Sequence, residues 1–308
     1  MKQLNISGVR MVCCALLLVG YSAALQAQDS TAVEAEAVSQ PVLPKKGKPV
    51  KNTFESIWLI DEQTVEVPVV RTFEMDFRHR FGTVNNGYKD FYGLFASANI
   101  SLGANYVPIK NLLVGVALTK SNMTWEGYAK YALLKQVRNG KGSPVSATWY
   151  AHMAIESKES ATYARFSDRM SYFNQLIIAR KISEKLSVQV APGWVHHNVV
   201  DGYSPYAGKY LKEKPNDHFM VAVGGRFKLT ESMSVIANYD QPLTTDNVGN
   251  AHPNISAGLE LSTSGHVFQF FAGNYYYITP QRNIVFNQND YTERQFLIGF
   301  NITRLWNY

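Results

Sequence analysis

The sequence predicts an all-β fold, a transmembrane antiparallel β-barrel of about 12 strands with periplasmic termini, and three observations carry that expectation. Apolar and polar residues alternate with a period of two in segment after segment, as in strands with one face apolar. Those segments are at least as long as the roughly 9–11 residues that a tilted membrane strand needs. The connections between them are mostly short at one end and long at the other, the arrangement of outer-membrane barrels.

Composition narrows the alternatives. Of 308 residues, 18% are charged, below the usual quarter, which argues against a charge-rich disordered chain or a coiled coil. The excess lies in aromatics, with 18 Tyr, 16 Phe and 5 Trp. No apolar run is long enough for a membrane-spanning helix.

In chain order, residues 1–27 come first as an address. Lys2 and Arg10 precede an apolar stretch from Met11 to Val19, followed by small residues that end at Ala27. This is the pattern of a cleavable secretory signal peptide. Its removal would take away both cysteines, Cys13 and Cys14, and leave a net charge of +4. A thiol-free chain has no disulfide, thiol catalysis or cysteine-ligated metal, and so mild a charge is no nucleic-acid footprint. Residues 28–52, rich in Ala, Pro and Lys, read as a disordered periplasmic tether. The barrel domain is expected over 53–308. Within it, 54–70 contains Phe54, Ile57, Trp58, Leu59 and Ile60, too apolar for a free linker. This stretch is expected to pad the periplasmic mouth, with a small luminal plug as the alternative.

Twelve strands are expected near 71–82, 96–107, 112–122, 125–136, 145–156, 169–181, 186–198, 217–229, 233–241, 254–263, 266–278 and 293–305. The first shows the rule: Phe73, Met75, Phe77, His79 and Phe81 alternate with Glu74, Asp76, Arg78 and Arg80. A soluble sandwich would also alternate, but its strands are typically about 5–6 residues. The last strand ends in Trp306 and Tyr308, a terminal aromatic of the kind read by the barrel-assembly machinery.

Parity assigns the inner faces. Glu74, Asp76, Arg78, Arg80, Lys130, Arg226, Asp240 and Glu260 are the candidate lumen-lining residues, with Glu126, Glu156 and Lys228 on the same faces. Buried ions must pair or stay in water, because each unpaired one costs several kcal/mol. Twelve strands fall between the filled eight-stranded barrels and the open sixteen-stranded porins.

No catalytic pattern stands out: there is no G-x-S-x-G elbow, and Asp217 and His218, being adjacent on a strand, diverge. His196–His197 diverge likewise, so no metal or cofactor is expected. The expected partners are outer-membrane lipid, the assembly machinery and small solutes.

Several stretches resemble a bacterial family of outer-membrane β-barrels catalogued as a domain of unknown function. They are His79–Arg80–Phe81–Gly82, Gln175 to Lys181, Trp194–Val195–His196–His197–Asn198, His266–Val267–Phe268–Gln269–Phe270, and Gly299 to Trp306. The resemblance runs from about Thr53 onward. It implies a Gram-negative outer-membrane location and a barrel topology, and brings no activity with it. The expected function is a porin-like narrow pore or small-solute conduit, not an enzyme. The alternative is a non-transporting barrel, structural or surface-binding through its extracellular loops.

Overall fold

The structure, a computed structural model, describes residues 47–138, 140–159 and 162–307. The expected signal peptide and most of the expected tether lie outside the described residues.

Twelve antiparallel strands close into one barrel. They are β1 (Thr72–Thr83), β2 (Asn99–Ile109), β3 (Leu112–Thr119), β4 (Thr124–Leu134), β5 (Ser146–Glu156), β6 (Met170–Lys181), β7 (Leu186–His197), β8 (Asp217–Lys228), β9 (Met233–Pro242), β10 (Asn254–Ser262), β11 (His266–Gly273) and β12 (Leu297–Asn307). Each pairs with its sequence neighbours, and β12 closes the ring on β1 with Trp306 opposite Phe73 and Ile302 opposite Phe77. The rings of Phe73 and Trp306 lie 5.7 Å apart across that seam, and the Thr72 hydroxyl donates to Asn307 at 2.7 Å. Closure removes the unpaired edge that a twelve-stranded sheet would otherwise expose.

Side-chain alternation divides the wall into two surfaces. Met75, Leu102, Val116, Trp125, Trp149, Phe219 and Phe270 are exposed on the outside, while Glu74, Arg78, Ser101, Glu126 and Gln269 are buried. An apolar outer band over a polar interior is the inverse of a soluble protein and suits a bilayer. Among the described residues no helix is long and apolar enough to cross a membrane; the chain crosses with strands.

Links at the end where β1 begins are mostly tight. Between β2 and β3 only Lys110 and Asn111 intervene, with Asn111 at φ 69°, a left-handed geometry that Asn tolerates. A longer link, 135–145, carries Val137 and Arg138, which pair with Lys48 and Pro49. At the opposite end, most connections are long; one of them folds its own ribbon from Gly202–Tyr206 and Lys209–Lys212.

Two expectations need correction. Residues 53–67 do not pad the mouth. They enter the lumen as a short hairpin, with Trp58 opposite Gln63 and Leu59 opposite Glu62, and Phe54, Ile57, Trp58, Leu59 and Ile60 are all buried. The apolar residues find a dry site inside the barrel, and the hairpin's polar backbone finds partners on the inner wall. The second correction concerns strand ends: β11 stops at Gly273 and β12 starts at Leu297, whereas the alternation continued past both points. Asn274 explains the break. Its side chain accepts from the Ile255 amide at 2.8 Å and donates to the Pro253 and Asn289 carbonyls at 2.9 and 2.8 Å. These bonds turn the chain inward, and helix α1 (Pro280–Phe286) follows, its Ile284 and Val285 buried.

Candidate functional site

The inner wall, the hairpin 53–67 and helix α1 form one polar assembly. The hairpin is closed by its own bonds: the Glu66 carboxylate accepts from the Thr53 amide at 2.7 Å, and the Thr64 amide donates to the Ile57 carbonyl at 2.9 Å. At its tip Ile60 has φ 59°, a left-handed conformation that a β-branched residue adopts only under constraint. Such strain costs on the order of 1–3 kcal/mol and persists where surrounding contacts over-determine it.

Those contacts are wall amides. Gln269 Nε2 donates to the Trp58 carbonyl at 2.9 Å, while its Oε1 accepts from the Ile60 amide at 3.1 Å. Asn301 donates to the Ile60 carbonyl at 2.6 Å, and Asn238 donates to the Leu59 carbonyl. Further toward the turn end, Gln189 reaches the Gln63 carbonyl at 3.0 Å and the Thr148 hydroxyl reaches the Val65 carbonyl at 2.9 Å. Buried main-chain groups require such partners, and here side chains of the wall supply them. Gly224, between Gln189 and Asn238 in the wall, makes room for the tip, since a Cβ there would lie 2.6 Å from Leu59 Cδ2.

Arg78, Arg80, Arg226 and their acids are paired, in part within the wall and in part through the hairpin. Arg78 bonds Asp76 at 3.1 Å and Ser101 at 3.0 Å, and its guanidinium lies 4.1 Å from the Trp58 ring centroid. Asp76 also accepts from Asn105 at 2.9 Å. Arg226 bonds Glu260 at 2.7 Å and Glu55 of the entering chain at 3.4 Å. Lys130 donates to the Gln63 side chain at 3.0 Å and the Thr64 carbonyl at 3.1 Å. Arg80 depends most on the hairpin: its salt bridge is to Asp61, at 2.9 Å, with Asn301 accepting from it at 2.9 Å and the Phe271 ring 4.4 Å away. Asp240 accepts from Asn254 at 3.2 Å, and buried Glu74 keeps Oε1 without a hydrogen bond. Glu126 and Glu156 are also buried, bonded to His152 at 2.9 Å and Arg282 at 2.7 Å. Lys228 sits at the mouth instead, on Glu231 at 2.6 Å.

Helix α1 enters from the long-loop end and is tied down similarly. Gln281 donates to His152 Nδ1 at 2.9 Å, which leaves His152 Nε2 as the protonated nitrogen facing Glu126. Arg282 bonds Glu156, and Asn283 donates to Asp61 at 2.5 Å. Asp61 therefore joins three elements: one carboxylate oxygen takes Arg80 of β1, the other takes Asn283 of α1, and its own backbone belongs to the hairpin.

The parity of the alternation leads to the charged lining but not to the grip. Gln189, Asn238, Gln269 and Asn301 lie on the polar faces of their strands, and that periodicity was the signal available for them. Asp61 and Asn283 lie in segments without a period. Among the described residues no group of three or more His, Cys, Asp or Glu is placed to hold a metal ion. A cavity of about 760 Å³ opens at the turn end beside Lys48, Lys51, Glu55, Arg138 and Lys181.

A family model described as a membrane-bound β-barrel domain, DUF5777, matches residues 54–306. The chain belongs to that family. The match begins within the luminal hairpin, so the inserted segment is part of the domain and not an appendage. In shape the barrel is similar to the NanC porin, at 6% identity and a TM-score of 0.45, over 77% of this chain and 99% of that one. It is also similar to an outer membrane channel from Pseudomonas putida F1, at 11% identity and a TM-score of 0.47, over 78% and 97%. The CymD monoaromatic hydrocarbon channel aligns at 11% identity and a TM-score of 0.40, over 78% and 90%. Among curated proteins, none matches the chain in sequence.

Proposed function

We propose that this outer-membrane barrel is a small-solute conduit, without enzymatic activity, closed by its own hairpin 53–67 from one mouth and by α1 from the other. One observation carries the reading. The hairpin is gripped by Gln, Asn, Thr, Lys and Arg side chains of the wall. Water can replace each of those bonds, so withdrawal leaves a hydrophilic passage. An inner wall evolved only as a permanent core gains more from apolar packing, since replacing buried ion pairs by apolar residues is often neutral or stabilising.

In this reading residues 1–27 export the chain and are removed, 28–52 tether the hairpin in the periplasm, and the aromatic end of β12 serves recognition by the assembly machinery. Glu74, Asp76, Arg78, Arg80, Lys130, Arg226, Asp240 and Glu260 line the passage once it is hydrated.

Planar-bilayer recording tests the reading with two variants, one lacking 53–67 and one that also has 279–288 replaced by a Gly/Ser linker. The conduit reading expects steady conductance in the second, and selectivity that moves toward cations with Arg226→Glu. Silence from both variants, with folded barrels verified by unboiled electrophoresis, overturns it. The competing reading, a non-transporting barrel acting through its loops, is favoured by the filling of the lumen from both ends, and silence would leave it standing.

A further inference from the structure

The loop between β1 and β2 differs from the other long connections: it carries Tyr88, Phe91, Tyr92, Leu94 and Phe95 exposed, with Tyr88 at 82% and Phe95 at 83%. It is not a slack loop. The Tyr92 amide bonds the Gly87 carbonyl at 2.7 Å and the Phe95 amide bonds the Asp90 carbonyl at 3.1 Å. Asp90 also accepts from Asn86 at 2.9 Å and from the Gly93 amide at 2.9 Å. Phe91 lies at the centre of the rings, with centroids 5.9 Å from Phe95, 6.3 Å from Tyr88 and 6.4 Å from Tyr92. The fold thus presents a stiff aromatic surface where water would favour a polar one.

The direction of the loop follows from the rim beneath it. Register between β12 and β1 passes from Leu297–Thr83 to Gly299–Arg80, so Phe81 and Gly82 together oppose Ile298. A bulge of this kind adds one residue and bends the strand, and the two residues share the face of the one they oppose. Ile298 is on the outer, apolar face, 42% exposed. Gly82 is therefore turned outward, and the returning limb of the loop is pressed against it: the Gly82 amide bonds the Gly93 carbonyl at 3.1 Å. Side chains would prevent this approach, since a Cβ on Gly82 would sit 2.4 Å from Ala96 Cβ and one on Gly93 would sit 2.2 Å from the Gly82 carbonyl oxygen. The returning limb of the loop is thus seated on the rim of β1 at Gly82.

We infer that loop 84–98 is a membrane-contact element whose aromatic surface lies among the lipids of the outer leaflet, continuing the lipid-facing band of β1, β2 and β12. Its chemistry suits that depth: Tyr at the headgroup level, Phe below it, and Lys89 able to extend toward anionic groups.

Nitroxide accessibility tests this in the full chain with Cys13 and Cys14 replaced by Ser, reconstituted in phosphatidylethanolamine–phosphatidylglycerol vesicles. Labels are placed by Tyr88→Cys or Phe95→Cys, with Leu102→Cys as the lipid-facing reference and Lys209→Cys as the aqueous one. At 88 and 95, oxygen collisions should exceed nickel-chelate collisions several-fold, as at 102. A nickel-dominated signal like that at 209 overturns the inference by placing the loop in water, and low accessibility to both reagents overturns it by showing a protein occupant. Gly82→Val, which forces the returning limb off the rim, should move the label at 95 toward nickel accessibility, and no change there refutes the seating.

Discussion

Removing the Asp61 carboxylate should loosen the luminal hairpin more than any other single truncation within it. In Asp61→Ala, Arg80 loses its salt bridge at 2.9 Å and Asn283 loses its acceptor at 2.5 Å, both in a site where the side chains are at most 4% exposed. Breaking a buried ion pair by deleting one partner costs about 3–5 kcal/mol. Part of that is recovered when the hairpin leaves, because Arg80 then meets water and keeps Asn301. The full figure corresponds to about a 140- to 4,000-fold rise in the open-to-closed ratio of the hairpin, at about 1.4 kcal/mol per tenfold. Hydrogen exchange at the amides of 53–67 reads that ratio directly, while the strand amides act as an internal control. Protection in the hairpin should fall by about two to three orders of magnitude and protection in β1 and β12 should hold. A double-mutant cycle with Arg80→Ala should show strong coupling, since each change alone leaves the other member of the pair without its counter-ion. Unchanged exchange in 53–67, or loss that spreads equally to the strands, would refute the idea that Asp61 fastens a separable element.

Three further outcomes follow from other parts of the molecule. The exported chain should begin near Gln28 and contain no thiol, and intact-mass measurement checks this; retention of Cys13 or Cys14 contradicts it. Trp149→Arg places a charge on the outer face, where Trp149 is 50% exposed, and should cost about 2–4 kcal/mol near the bilayer midplane, measured by denaturant unfolding from vesicles. Gly224→Val should overpack the wall against Leu59 by about 1–3 kcal/mol and raise exchange in the hairpin without lowering barrel stability comparably.

The barrel was legible because a membrane strand obeys one rule along its whole length. Every second residue meets lipid, so Phe73, Met75 and Phe77 must be apolar wherever the strand lies, and strand number and inner faces follow from counting. The contents of the lumen obey no such rule. The hairpin is apolar at Ile57–Ile60 because it leaves water, but its destination depends on Gln269, Asn238 and Asn301, which are more than 170 residues away in sequence. Helix α1 is harder still. Pro280 fits a first helical turn, yet seven residues with Gln, Arg and Asn look like any surface loop until Asn274 turns them inward. A charge assigned to an inner face by parity also carries no information about its partner. Arg78 finds Asp76 two residues away on its own strand, whereas Arg80, equally inward, waits for Asp61.

The topology also decides how such a lumen can open. Residues 53–67 enter and leave by the mouth where β1 begins, so the hairpin can withdraw without threading its chain through the wall. Helix α1 is flanked by segments that both return to the opposite mouth, and it too can lift as a unit. The two inserts meet at Asp61 and Asn283, beside Arg80, which is the ninth of the twelve residues of β1 counted from the hairpin's mouth. The hairpin thus fills the longer part of the passage and α1 caps the remainder. Departure of the hairpin frees Asn283 but leaves Gln281 on His152 and Arg282 on Glu156. If the barrel is the conduit proposed above, opening therefore needs two events, and losing the shared carboxylate favours each of them. Replacing 279–288 alone should leave conductance closed while lowering protection at the hairpin tip, because the tip loses one of Asp61's two partners. Steady current from that single replacement would mean that the hairpin does not seal the barrel and that α1 alone is the gate.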